Sequence, residues 1–147
     1  MEQLDKSEIK QILNYISENF GIKNLKLDYL FFKNNNNKIY ILTKDYNQLN
    51  EIRAAAKGLY FAKRETYGLR LSLEGAQIIG PLATKNIYEL KNIEEYMSGK
   101  NLDIQDELKK LVIIKHKDDF LGCCYYKNGK LTNYLPKERR LKLISNI

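Results

Sequence analysis

The sequence predicts an α+β fold in two parts: a small antiparallel sheet with two helices over residues 1–80, then a compact, mostly β unit over 81–147. Three observations lead there. Apolar residues recur at helical spacing in only two long stretches, both in the first half of the chain. The remainder is short β-prone runs separated by Asn- and Gly-rich turns. Gly80-Pro81 is the strongest punctuation in the chain and marks the expected boundary between the parts. A length of 147 residues suits one domain or two small ones and can bury a core without disulfides or a structural metal.

The elements follow in order. Ile9, Ile12, Leu13, Ile16 and Phe20 line one face of a first helix. Asp5 with Glu8 three residues on forms its capping box, and Gly21 stops it. Two strands, 26–32 and 38–42, flank Asn34-Asn35-Asn36-Asn37, a loop whose asparagines tolerate left-handed backbone. Residues 45–57 predict a second helix, with Tyr46, Leu49, Ile52 and Ala56 on one face and Gly58 as its stop. Strands 58–63 and 68–73 come next, and a small-residue stretch, Glu74-Gly75-Ala76-Gln77, leads to Ile78-Ile79. Beyond Pro81 the pattern predicts a strand at 86–90 and a short helical turn at 92–97 capped by Asn92. A buried strand at 108–115 and a hairpin, 120–127 with 130–135, complete the chain.

Charge localises the chemistry. Lys and Arg number 25 against 18 Asp and Glu, a formal net charge of +7. The excess lies in two segments, each with a single glutamate: Arg53, Lys57, Lys63, Arg64 and Arg70 in the first, and Lys127, Lys130, Lys137, Arg139, Arg140 and Lys142 in the second. Localised basic segments on a near-neutral body suit a polyanion, nucleic acid first. No apolar run is long enough to span a bilayer, so no membrane partner is expected. Met1–Lys6 leads into no apolar core, so no secretory signal is expected either. Cys123 and Cys124 are adjacent and cannot staple a fold, which suits a reduced, cytoplasmic protein. In a strand they face opposite sides, one into the core and the other half-exposed.

Enzyme signatures are missing. One histidine, His116, and two adjacent cysteines cannot supply three or four metal ligands at defined spacing, and no phosphate-binding glycine motif occurs. His116 reads as a surface residue and Asp118-Asp119 as a solvated turn. The expectation is therefore a non-enzyme with no catalytic residues, no metal and no cofactor.

The hairpin is more informative. Asn128-Gly129 specifies a two-residue type I′ turn. That register sets Lys127 across from Lys130, Tyr126 from Leu131 and Tyr125 from Thr132. One face then carries Cys124, Tyr126, Leu131, Asn133 and Leu135 as a core face. The other presents Tyr125, Lys127, Lys130 and Tyr134 outward, lysines for an anion beside aromatic platforms for unstacked bases. Lys137, Arg139, Arg140 and Lys142 follow directly. These eight residues form the expected RNA-binding site, with weakly sequence-specific, salt-sensitive affinity. In the first basic segment, Glu65 is expected to pair with Arg64.

Two resemblances extend this reading. Lys38-Ile39-Tyr40-Ile41-Leu42-Thr43, then Gly58-Leu59-Tyr60-Phe61-Ala62-Lys63, Gly68-Leu69-Arg70-Leu71 and Phe120-Leu121-Gly122, resemble in matching order the nuclear-import-seven family of ribosome-biogenesis factors. The segment from Phe120-Leu121-Gly122 through Asn133-Tyr134-Leu135-Pro136-Lys137 to Arg139 also resembles the end of rRNA cytosine-5 methyltransferases. The chain departs from the first pattern at Tyr96-Met97-Ser98-Gly99-Lys100 and at Ala62, where a glycine is usual. Both resemblances imply an RNA-facing PUA-like β-barrel over 81–147, behind an α+β N-terminal domain. The first implies large-subunit pre-rRNA processing in a monomer that meets rRNA or pre-rRNA and other assembly proteins. An RNA-recognition subunit for a separate rRNA or tRNA modification enzyme and a protein-interaction adaptor are the alternatives.

Overall fold

The computed structural model describes residues 1–44 and 58–140. The helix expected over 45–57, with Arg53 and Lys57, lies outside the described residues, as does Lys142. The chain runs β1 (Glu2–Gln3), α1 (Lys6–Phe20), β2 (Tyr29–Lys33), β3 (Lys38–Thr43), β4 (Leu59–Glu65), β5 (Gly68–Leu71) and α2 (Leu73–Ile79). It continues through a 3₁₀ turn (Gly80–Leu82), β6 (Ile87–Glu89), α3 (Ile93–Met97), β7 (Leu102–Asp103), β8 (Leu111–His116), β9 (Asp119–Lys127), β10 (Lys130–Thr132) and a second 3₁₀ turn (Lys137–Arg139).

Strands β1 to β5 form one antiparallel sheet in sequence order. Strands β6 to β10 form a second, in the order β6-β8-β9-β10-β7, parallel only between β6 and β8. The fold is thus mixed α+β, and the second sheet is a curled half-barrel whose edge strands, β6 and β7, are not paired with each other.

Local chemistry explains the first helix and loop. The Asp5 carboxylate accepts from the Glu8 backbone N–H, Glu8 reciprocates, and Gly21 closes α1 at φ +64°. In the asparagine loop the Asn34 side chain accepts from the N–H groups of Asn36 and Lys38, and Asn37 takes a left-handed φ of +63°. The glycine-containing stretch after β5 is a helix rather than a connector. Ser72 caps it by accepting from the Gly75 N–H, and α2 lies so close to β4 that a Cβ on Gly75 would sit 2.1 Å from the Phe61 carbonyl oxygen.

The two sheets are separate in their hydrogen bonding but share one core. Along β8 and β9, Leu111, Ile113 and Cys123 pack with Ile16, Phe20, Phe61 and Leu71 of the first unit. The alternate residues Val112, Ile114 and Cys124 pack with Tyr96, Leu131 and Leu135 inside the half-barrel. Strand β8 reads as an uninterrupted apolar run because both of its faces are covered. Both cysteines are accordingly buried, which corrects the half-exposed position expected for one of them. Gly80-Pro81 is a packed joint rather than an open linker. A Cβ on Gly80 would overlap the Phe120 ring, and the Thr84 and Lys85 N–H groups donate to the Phe20 carbonyl at the end of α1.

The final strand ends early, at Thr132, because a buried side chain takes over the backbone pairing. Asn133 donates from Nδ2 to the carbonyls of Tyr96 and Lys100 and accepts at Oδ1 from the Leu135 N–H. The Asn101 side chain accepts from the Asn133 backbone N–H.

Candidate nucleic-acid interface

The hairpin register is the one the Asn-Gly turn specifies: Lys130 opposes Lys127, Leu131 opposes Tyr126 and Thr132 opposes Tyr125. Asn128 and Gly129 both have positive φ, at +50° and +78°. Lys127 and Lys130 are exposed at the tip. Strand β7, which the sequence did not announce, pairs with β10 on its far side and sets Asp103 opposite Lys130, with Nζ and Oδ1 4.0 Å apart. A carboxylate therefore offsets part of the repulsion between the two lysines.

The tyrosines face the first unit rather than open solvent. The ring of Tyr125 stacks on Tyr67 with centroids 4.0 Å apart, and the hydroxyls of Tyr134 and Tyr67 are hydrogen-bonded at 2.8 Å. Burial and that hydrogen bond push the Tyr67 phenol well above its usual range. The Arg70 guanidinium lies 3.8 Å from the Tyr134 ring centroid. Tyr125 therefore presents one face to Tyr67 and Tyr134 one face to Arg70, which the sequence reading had left free for bases.

Arg70 reaches this position by strand alternation. Leu69 and Leu71 point into the core, so Arg70 points to the opposite side of β5, across from Lys63 on β4. Glu65 lies two residues from Lys63, on the same side of the strand. It pairs with Lys63 at 3.6 Å and Arg70 at 3.1 Å, not with Arg64 as the sequence suggested. Lys38 opposes Lys63 from β3. The Lys38 ammonium sits 5.0 Å from the Tyr60 ring, itself 5.8 Å from Tyr40. Lys38, Lys63 and Arg70 thus form a cationic row across three strands, interleaved with tyrosines.

The tail meets the end of this row. Arg139 donates from Nη2 to Glu74 of α2 at 2.6 Å, and Arg140 donates from Nε to the Leu135 carbonyl at 2.9 Å while packing on Gly99. Lys137 is exposed between them and Pro136. Arg70, Tyr134, Glu74, Glu138 and Arg139 line one cleft of about 210 Å³ between the sheets. The structure therefore brings Tyr134 and Arg139 together with Arg70, Tyr60 and Glu74, three residues outside the sequence-derived set. Lys127 and Lys130 lie apart at the hairpin tip. The signal for Arg70 was present in the Leu-Arg-Leu alternation of β5. Nothing in the sequence pointed to the partner that faces it.

The remaining chemistry is sparse. His116 is half-buried at the end of β8 rather than on the surface, with Nδ1 buried and unpaired among the described residues. Asp118 is exposed in the turn between β8 and β9, and Asp119, also exposed, opens β9. Burial pushes the Cys123 thiol up to about 12, so it stays protonated and unreactive at neutral pH.

No curated protein matches the chain. Residues 86–141 match the family model of the PUA domain of the methyltransferase RsmF, a span running from just before β6 past the second 3₁₀ turn. Residues 86–141, which hold the half-barrel sheet and the predicted Tyr125, Lys127, Lys130, Tyr134, Lys137, Arg139 and Arg140, form a PUA-like domain.

Proposed function

We propose that the protein is a non-catalytic RNA-binding protein that acts as a ribosome-biogenesis factor in large-subunit pre-rRNA processing. The PUA-like domain carries the reading, since a PUA domain is an RNA-binding module. Its support is that the two basic segments, separate in sequence, meet at one cleft through Arg70 of the first and Arg139 of the second, with Lys63 across the sheet from Arg70. The resemblance to the nuclear-import-seven family supplies the pre-rRNA setting. Two free, buried cysteines suit a reducing, cytoplasmic compartment.

Binding to rRNA fragments across a salt series tests this reading. Affinity should fall by about 0.7 log units per log unit of salt for each phosphate neutralised on a single strand. Replacing Arg139 by Ala should lower that slope by about one if it contacts a phosphate, and should weaken binding across many sequences. Its bond to Glu74 is exposed, so the fold should lose no more than about 1 kcal/mol. Salt-independent or absent binding overturns the reading. Methylated product from the purified chain with S-adenosylmethionine and rRNA would overturn its non-catalytic part.

A second reading is favoured by one specific observation: the matching family model belongs to a methyltransferase. On that reading the chain is an RNA-recognition subunit that presents rRNA or tRNA to a separate modification enzyme. Recovery of a methyltransferase with the tagged protein from its native cell selects it, and recovery of pre-ribosomal particles alone selects the first.

A further inference from the structure

We propose that the open hollow between the asparagine loop and the β4–β5 turn binds the phosphate backbone of RNA, which makes the first sheet a second, sequence-independent arm of the nucleic-acid interface. This rests on the RNA-binding reading and adds to it a surface outside the PUA-like domain.

The topology gathers the cations. Strands β3 and β4 run antiparallel, so the start of β3 and the end of β4 lie at the same rim of the sheet. The Arg64 N–H donates to the Asn37 carbonyl at 2.9 Å and ties the asparagine loop to β4. The hollow at this rim has a volume of about 800 Å³ and is lined by Lys38, Lys63 and Arg64, with Glu65 as the one carboxylate among its described residues. Glu65 is already shared between Lys63 and Arg70. Neither Lys38 nor Arg64 has an ion pair among the described residues. Lys38 and Lys63 are direct cross-strand partners, and like charges so placed cost stability, which an anion between them offsets. The cleft beside Arg139 differs, since its two arginines meet two glutamates.

Neutral donors complete the hollow. Asn35, Asn36 and Asn37 also line it, and all three are exposed. A carboxamide carries two N–H donors. Lys, Arg and Asn are among the side chains that reach phosphate oxygens in nucleic-acid complexes. Asn34 holds the loop in shape by accepting from the Asn36 and Lys38 N–H groups, so little freedom is left to lose on binding. Continuity selects a chain of phosphates over a single ion. Lys63 is the cross-strand neighbour of Arg70, which lines the cleft with Tyr134 and Arg139. From Arg70 to Lys38 is two strand spacings, about 10 Å. An RNA strand held by the half-barrel therefore meets a cation on each of β5, β4 and β3 on its way to the hollow.

The test measures binding of single-stranded oligo-U and oligo-A to the full chain across a salt series. Lys38→Gln with Arg64→Gln should lower the salt slope by about 1.4, two phosphate contacts at about 0.7 each, and weaken affinity roughly tenfold near physiological salt. Both oligomers should lose equally, because phosphate contacts carry no sequence. Lys6→Gln with Lys10→Gln removes the same charge from exposed positions on α1 and should change the slope far less. Arg64 is exposed, so Arg64→Gln alone serves should the double variant fail to fold, with the slope lowered by about 0.7. The hollow is wrong if the Lys38 and Arg64 variant binds as the unaltered chain does while Arg139→Ala weakens binding. RNA binding by the half-barrel then stands, and an acidic protein becomes the partner of this rim. Equal loss in the α1 control also overturns the site, since net charge alone would then account for the effect. If the unaltered chain binds no RNA, the RNA-binding reading itself falls and takes the hollow with it.

Discussion

A buried asparagine decides how the C-terminal sheet ends. Asn133 is 8% exposed and uses both ends of its amide on the backbone of three other residues, Tyr96, Lys100 and Leu135. Replacing it with Ala leaves the Lys100 carbonyl and the Leu135 N–H without these partners, while the Tyr96 carbonyl keeps its bond from the Gly99 N–H. The loss should be roughly 2–4 kcal/mol, because buried polar groups left unpaired cost far more than one net hydrogen bond. Urea denaturation of the variant checks this. The neighbouring thiols set a pH limit. Burial holds Cys123 near 12 and pushes Cys124 higher still, against an ordinary value of 9.0. The unfolded chain therefore gives up these protons first as pH rises, and the folded state falls behind. Stability from this source is complete below about pH 9 and declines above it. Melting temperature should stay flat through neutral pH and fall beyond that point, and Cys123→Ala should reduce the fall. Alkylation by iodoacetamide in native buffer should be slow at both cysteines and become complete in denaturant. Adjacency in a strand was enough to put the two thiols on opposite sides. It could not say that a second layer covers the outer side, because that layer comes from residues more than forty positions away.

Helix α2 shows where element-level signals succeed and fail. Ser72 with its backbone-bonded hydroxyl is an ordinary N-cap, yet Gly75 and Ala76 made the segment look like a connector. The glycine answers a packing demand: α2 rests on β4 closely enough that only hydrogen fits at Gly75. Gly75→Ala improves helix propensity and should still destabilise the protein, by about 1–3 kcal/mol, since the added methyl meets backbone rather than a side chain that can move. A lowered urea midpoint with an unchanged slope is the expected result, and a more stable variant would contradict the close approach. The capped helices α1 and α3 and the Asn-Gly hairpin were legible because their signals are local: Asp5 with Glu8, Asn92, and Asn128-Gly129. Strand β7 was not, because a two-residue strand carries no periodicity. Glu65 was assigned to Arg64 by proximity in sequence. Strand alternation places it with Lys63 and Arg70 instead.

At the scale of the whole molecule, the candidate interface exists only because two units meet. The sequence located the cations and tyrosines of the C-terminal half, but the face they share is completed by Tyr67 and Arg70 from the other half. No pattern within one segment encodes such a contact. Tyr67 is the hinge of this arrangement, stacked on Tyr125 and hydrogen-bonded to Tyr134. The core on which it rests is continuous from Ile16 and Phe20 through Ile113 and Cys123. Folding of either sheet alone would leave one side of β8 or the inner side of β5 exposed, so the two should unfold together. The chain has 11 tyrosines and no tryptophan, so tyrosine fluorescence can follow the interface while far-ultraviolet circular dichroism follows the sheets. The two transitions should coincide. In a double-mutant cycle, Tyr67→Ala and Tyr125→Ala should be coupled by about 0.5–1.5 kcal/mol, the usual worth of a stacked aromatic pair beyond its buried area. Two separated transitions, or additive effects of the two substitutions, would mean that the sheets are independent. The cleft lined by Arg70, Tyr134 and Arg139 would then have no fixed wall on the Arg70 side.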